Sequence, residues 1–259
     1  MAPPPVLLVS IDGVAPAEID PTTMPNLLAL AEVGASCFDA RTIEPCWTLP
    51  AHLSMVRGVA PSVHGVFDNT PVPPATDVSS VLGVARRAGR VTAAVHNWSP
   101  FDVLFDAGDT FGTLFVDRGY DPHGDAAMAE ATTWFVAHTG ADVVFSYFAG
   151  PDLAGHEYGW GSEAYRRALG RADAALGDLL AELAGWRVIV TTDHGGLGTN
   201  HGGLSDAEMT TFVVVAGPGV PSGRQLGEAS ILDVAPTVAA LAEMAPDPHW
   251  VGASLVTIA

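Results

Sequence analysis

Eight side chains suited to metal binding or phosphoryl chemistry are spread along this chain of 259 residues: Asp12, Thr48, Asn69, Asp152, His156, Asp193, His194 and His201. The stretch Glu44-Pro-Cys-Trp-Thr48-Leu-Pro-Ala-His52, running on to His64-Gly65 and Asn69, puts one hydroxyl in a turn that enters a short helix. At a helix start, free backbone N–H groups and the dipole favour an anion. Asp193, His194 and His201 fall within nine residues of a Gly-rich loop. Carboxylates and imidazoles with so little covering sequence suit coordination of a cation. Asp152 and His156 are four apart, a spacing that lets both face one ion from a helical turn or a tight loop. Convergence of these groups on Thr48 would make a two-metal site for phosphoryl transfer. Each also has a plainer reading when taken alone. Asp12-Gly13 is a common turn, Thr48 can serve as a helix N-cap, and Asn69 can be a turn residue.

The elements that must position them alternate between strand and helix. Val6–Ile11 is a continuous apolar run that stops at Asp12, as expected of a strand buried on both faces of a parallel sheet. Met24–Val33 reads as a helix stopped by Gly34, and Ala35–Ile43 as a strand. Leu49–Val56 is a short helix whose early Pro50 is tolerated near the start. Residues 60–69 read as a turn-rich loop. Asp77–Ala88 reads as a helix, Val91–Val95 as a strand, and His96–Tyr120 as an aromatic segment with no clear period. A helix over Asp125–Ala137 leads to a strand over Asp142–Phe148, just before Asp152. Ser162–Leu183 is the longest amphipathic helix, with Tyr165, Leu169, Ala172, Leu176, Leu179 and Leu183 on one face. The strand Arg187–Thr192 delivers Asp193, and Thr210–Ala216 and Ile231–Met244 complete the pattern as strand and helix. This alternation implies an α/β fold with a doubly wound, mainly parallel sheet and helices on both faces, in one compact domain over residues 1–259. In such folds ligands bind beyond the carboxyl ends of the strands, which is where the candidates fall.

Composition narrows the partners. The chain carries 29 carboxylates against 11 basic residues, all arginine, for a net charge of −18. That balance argues against a nucleic-acid polymer, which needs a basic face, and disfavours anionic membranes. A small phosphorylated substrate stays compatible if bound cations invert the local field. Cys37 and Cys46 build neither a disulfide framework nor a CxxC metal signature. No signal-peptide pattern opens the chain, and no apolar stretch reaches the roughly 18 residues that span a bilayer, so a cytoplasmic location is expected. Nothing in the sequence sets the oligomeric state.

Three separated blocks resemble the alkaline phosphatase superfamily in its type I phosphodiesterase/nucleotide pyrophosphatase branch. They are Ser-Ile-Asp12-Gly; Thr48-Leu-Pro-Ala-His with Pro61-x-x-His-Gly and Asn69; and Pro-Asp152-x-x-Gly-His156 with Asp193-His194-Gly and His201-Gly. The Asp233-Val-Ala-Pro-Thr237 segment and the Gly-Ala-Ser-Leu255 ending are similar to the family too. The resemblance implies a metal-dependent hydrolase with two divalent ions, Zn²⁺ foremost and Mn²⁺ or Mg²⁺ as alternatives. It implies that Asp12, Thr48, Asp193 and His194 hold one ion, and Asp152, His156 and His201 the other. Thr48 would be the nucleophile of a covalent phosphothreonine intermediate. Asn69 and the Thr48 backbone N–H would donate to the non-bridging phosphoryl oxygens.

Departures from the family pattern bear on the substrate. The chain is short for the branch, and the Asp193–His201 loop is compact. A neutral donor at Asn69, with no basic residue assignable beside the phosphoryl group, favours a phosphodiester or pyrophosphate bond over a monoester dianion. Cys46 is followed by Trp-Thr-Leu-Pro, so the Cys-x-Pro-x-Arg setting of the sulfatases is absent. A phosphomonoesterase or a C–P phosphonate hydrolase on the same two-metal site is the alternative. The phosphonate enzymes usually add lysines near the pocket, and this chain has none.

Overall fold

The computed structural model of the chain describes residues 3–118 and 121–258. In order, its elements are β1 (Val6–Ile11), α1 (Pro25–Glu32), β2 (Ala35–Arg41), α2 (Thr48–Arg57), α3 (Pro61–His64), α4 (Val81–Arg87), β3 (Thr92–His96), β4 (Gly112–Phe115), α5 (Gly124–Thr139), β5 (Val143–Phe148), α6 (Gly150–Tyr158), α7 (Glu163–Glu182), β6 (Arg187–Thr191), α8 (Asp206–Met209), β7 (Thr210–Ala216), β8 (Arg224–Gln225) and α9 (Val234–Leu241). The strands form one sheet in the order β4-β3-β5-β1-β6-β7-β2-β8. β1 lies between β5 and β6 and is parallel to both. β7 runs against its two neighbours, β6 and β2, while the remaining pairs are parallel. The expected α/β architecture with a mainly parallel sheet is therefore present.

The apolar run of β1 is explained by burial on both sides. Val6 and Leu8 enter one apolar cluster, whereas Leu7, Val9 and Ile11 enter the other. Helices α2, α4 and α9 supply side chains to the first cluster, and α1, α5 and α7 to the second. Every residue of α2 is buried, including Arg57. The Arg57 guanidinium donates to the Val78 carbonyl at 2.7 Å and to both oxygens of Asp106 at 2.9 and 3.1 Å. Buried charge is tolerated there because it is paired and hydrogen-bonded. A helix enclosed in this way is a rigid mount for its first residue, Thr48. Truncating one of its core contacts, as in Leu53→Ala, is expected to cost about 2–5 kcal/mol.

Several boundaries differ from the expectations. The helix expected from Asp77 begins at Val81, because the Ser80 hydroxyl caps it by accepting the Gly83 N–H at 3.0 Å. The loop over 60–69 contains the single helical turn α3. The aromatic segment 96–120 yields the edge strand β4, which pairs in parallel with β3; its residues 119 and 120 lie outside the described residues. The helix expected over 231–244 is shorter. A 3-10 turn at Ile231–Asp233, closed by a Ser230/Asp233 capping box, precedes α9, and positive φ at Glu243 follows its end. Among the described residues no helix is long and apolar enough to cross a membrane.

Candidate active site

Asp12 follows β1, Asp152 and His156 ride on α6 just after β5, and Asp193 and His194 follow β6. Parallel neighbours bring these three chain ends to one edge of the sheet. The turn at Gly13 lets α6 close over β1. Its φ is +68°, and a Cβ there would stand 2.8 Å from the Asp152 Cα. Only glycine meets both demands at low cost.

Two groups of ligand-type atoms result, Asp12/Asp193/His194 and Asp152/His156/His201. In the first, His194 Nε2 lies 3.3 Å from Asp12 Oδ1 and 3.2 Å from Asp193 Oδ2. In the second, Asp152 Oδ1 is 3.5 Å from His156 Nε2 and 3.7 Å from His201 Nε2. Thr48 opens α2, and its buried hydroxyl is 3.3 Å from His194 Nε2. The cap position belongs to Trp47, with no side-chain cap, so Thr48 is not acting as an N-cap. Asn69 Oδ1 accepts the Leu49 N–H at 2.9 Å, which leaves its NH₂ group as the end with donors to offer. The structure thus brings all eight candidates to the same sheet edge and the helix that opens on it.

The protonation pattern of the histidines tests whether cations fit. Nδ1 of His194 meets the Gly195 carbonyl at 2.8 Å, Nδ1 of His201 the Cys46 carbonyl at 3.1 Å, and Nδ1 of His156 the Thr199 carbonyl at 3.0 Å. A carbonyl only accepts, so each Nδ1 carries a proton, and each Nε2 is the atom turned toward a carboxylate. Asp12 Oδ1, Asp152 Oδ1 and Asp193 Oδ2 are buried without a hydrogen-bond partner. Burial, then the Asp193 charge, pushes Asp12 well above the usual carboxylate range. Burial and Asp12 do the same to Asp152, and burial and Asp152 raise Asp193 to about 8. Burial lowers both His194 and His201. A divalent cation in each group would satisfy the orphaned oxygens and take the Nε2 atoms as ligands. The carboxylate and imidazole donor set fits such cations.

Further side chains, not singled out from the sequence, complete the site. The Tyr147 hydroxyl donates to Asp12 Oδ2. In sequence it is a polar-tipped residue in the mostly apolar run of β5, and the fold sets it opposite Ser10. Trp160 donates from Nε1 to the Gly13 carbonyl at 2.8 Å and stands edge-on to His156. His64 accepts the Val66 N–H on Nδ1 and therefore donates from Nε2 to Ser54 Oγ, at 3.0 Å. That bond ties the loop leading to Asn69 onto α2. A cavity of 630 Å³ opens beside His156, with Leu153, Tyr158, Asp125 and Arg171 among its walls.

The chain is similar to several known proteins. The chain is 35% identical over 149 residues, 53% of its length, to the 2,3-bisphosphoglycerate-independent phosphoglycerate mutase of Ruegeria pomeroyi, of which the match covers 28%. It is 25% identical over 218 residues, 74% of its length, to bis(5'-adenosyl)-triphosphatase ENPP4 of Homo sapiens, covering 48% of that protein. The chain therefore spans about half the length, or less, of these curated relatives. Among solved structures, an inactivated murine ectonucleotide pyrophosphatase/phosphodiesterase 5 in complex with AMP aligns with a TM-score of 0.79 and 17% identity, over 98% of this chain and 100% of that one. The phosphonate monoester hydrolase of Agrobacterium radiobacter aligns with a TM-score of 0.76 and 17% identity, over 97% and 76%. At these identities the likeness shows a shared fold and nothing finer. The family model of type I phosphodiesterase/nucleotide pyrophosphatase matches residues 6–208, well over half of the chain. The chain belongs to the type I phosphodiesterase/nucleotide pyrophosphatase family.

Proposed function

We propose that this protein is a two-metal phosphodiesterase or nucleotide pyrophosphatase that works through a phosphothreonine at Thr48. The observation that carries the reading is the Thr48 hydroxyl, buried at the head of α2 and 3.3 Å from His194 Nε2, a member of the first ligand group. Asp12, Asp193 and His194, with Thr48 itself, would hold one cation; Asp152, His156 and His201 would hold the other. When bound, the ions (Zn²⁺ by donor type, with Mn²⁺ or Mg²⁺ as alternatives) acidify an adjacent hydroxyl or water and offset charge on the phosphoryl group.

The chain's own residues do the rest. Thr48 Oγ1 attacks phosphorus, a new P–O bond forms, and the bond to the leaving alkoxide or phosphate breaks. Water then cleaves the phosphothreonine and restores the hydroxyl. The NH₂ of Asn69 and the Thr48 backbone N–H hold the non-bridging oxygens, helped by the helix dipole. Nδ1–H bonds to carbonyls keep the three ligand imidazoles in the tautomer the cations need.

A neutral donor such as Asn69 suits the single charge of a phosphodiester better than the dianion of a monoester. The AMP bound by the murine relative supports a nucleotide-like substrate of small size. The test is a comparison of initial rates on an aryl phosphodiester, an aryl phosphomonoester and phosphonoacetate, with Zn²⁺, Mn²⁺ or Mg²⁺ restored to stripped protein. Fastest turnover of the diester supports the reading. Preference for the monoester or for phosphonoacetate moves the assignment to that class, and no turnover of any ester overturns it.

A further inference from the structure

His52 lies one helical turn beyond Thr48 and is fully buried. Its Nδ1 is 2.8 Å from the Thr48 carbonyl and 3.4 Å from Asp193 Oδ2. Its Nε2 is 2.8 Å from Ser10 Oγ. Because the carbonyl can only accept, Nδ1 carries the proton, and Nε2 takes the hydroxyl proton of Ser10. One neutral ring therefore ties the first turn of α2 to the strand β1, two residues before Asp12, and lies 3.4 Å from Asp193 Oδ2. Aromatic neighbours fix its orientation. Phe101 packs on it at 4.6 Å, Tyr147 at 5.4 Å and Phe145 at 6.2 Å between ring centroids.

We propose that His52 is a positioning residue for the nucleophile, holding the Thr48 backbone at a set place relative to Asp12 and Asp193. This rests on the reading of Thr48 as the attacking group. The carbonyl that His52 holds belongs to the residue that bears the hydroxyl, so its position sets where Oγ1 stands. Without the imidazole, the turn is held to β1 by packing alone. A shift on the order of 1 Å at a reacting atom costs about 100-fold in rate. A role confined to packing predicts a different outcome, namely lower stability with unchanged turnover per folded molecule.

Three substitutions and one spectrum separate these. His52→Leu keeps much of the volume and removes both polar contacts. His52→Asn keeps a donor near the place of Nδ1, and Ser10→Ala removes the partner of Nε2. We expect His52→Leu to lower kcat by about tenfold or more with KM within about twofold, and His52→Asn to recover most of that loss. Metal content is expected to stay at one ion per ligand group. Kcat of His52→Leu within about twofold of wild type overturns the proposal, as does a His52→Asn variant no better than His52→Leu. Should His52→Leu not fold, Ser10→Ala is expected to lower kcat by a few-fold without changing KM, and an unchanged kcat overturns the proposal. Nitrogen-15 correlation spectra of the histidines give a readout independent of turnover. The Nδ1–H tautomer at His52 is expected, and the Nε2–H tautomer contradicts the arrangement. If wild-type protein hydrolyses no phosphate ester, the proposed function fails, while the tautomer still tests the geometry of His52.

Discussion

The rings of His194 and His201 stack with centroids 3.7 Å apart and planes 17° from parallel. One belongs to each ligand group, so the two groups share a wall, and a change in one is felt by the other. Neither ring can rotate away, since each Nδ1 is pinned to a carbonyl.

Metal binding is expected to release protons. Asp193 has its carboxyl raised to about 8 in the absence of a cation, so at pH 7 it holds a proton that a metal must displace. Affinity should rise with pH until about that value. Titration calorimetry in two buffers of different ionisation enthalpy measures the proton count directly. Equal heats in both buffers contradict the account. Stripping the ions should also lower Tm by several degrees, because a ligand at about 1,000 times its Kd adds about 4 kcal/mol.

Tyr147→Phe should weaken the first ligand group while leaving the fold intact. The hydroxyl lost is the one that orients Asp12 Oδ2. Loss of such a supporting hydrogen bond costs about 10- to 100-fold in metal affinity or activity. Competition against a chromogenic chelator measures it. Unchanged affinity together with unchanged turnover contradicts the expectation.

The interior of the fold was legible because buried strands are apolar runs. Residues 6–11, 143–148, 187–191 and 210–216 each carry that pattern and each proved to be a strand. Edge strands lack it: Gly112–Phe115 alternates in exposure and Arg224–Gln225 is exposed, so neither stood out. The candidate site residues were legible for a related reason, since each charged or imidazole group interrupts a strand end or a Gly-rich loop where core residues are otherwise expected. Tyr147 and Trp160 were not, and His52 stood out only as a member of the Thr48-Leu-Pro-Ala-His block without a role, because an aromatic or imidazole ring in an apolar setting reads as packing. Only the tertiary fold shows that their polar ends reach Asp12, the Gly13 carbonyl and the Thr48 carbonyl.

Gly13→Ala should disrupt the second ligand group through the backbone. The left-handed φ costs about 1–2 kcal/mol for an L-residue, and the new Cβ would meet Asp152 at 2.8 Å. A lower Tm is expected, together with loss of one metal per chain before the other. Loss of both ions in parallel, or of neither, contradicts the placement of α6 against this turn.

His64 should contribute an acid-sensitive part of the stability. Burial, and then the Arg57 charge, lowers it to about 4, against 6.5 for a free histidine. Its folded form is neutral while the unfolded form takes up a proton, so stability is full above 6.5 and is lost as pH falls toward 4. In His64→Gln, whose amide can still donate to Ser54 Oγ, the fall of Tm across this window should be shallower. Equal slopes for variant and wild type contradict the assignment.

The central claim is the covalent role of Thr48. The direct measurement is mass spectrometry of protein acid-quenched during turnover of an aryl phosphodiester, with Thr48→Ala in parallel. The account predicts a phosphoryl adduct on the peptide that carries Thr48, and no adduct and no turnover in Thr48→Ala with metal supplied in excess. Turnover in Thr48→Ala equal to wild type, with no adduct on either protein, would contradict it.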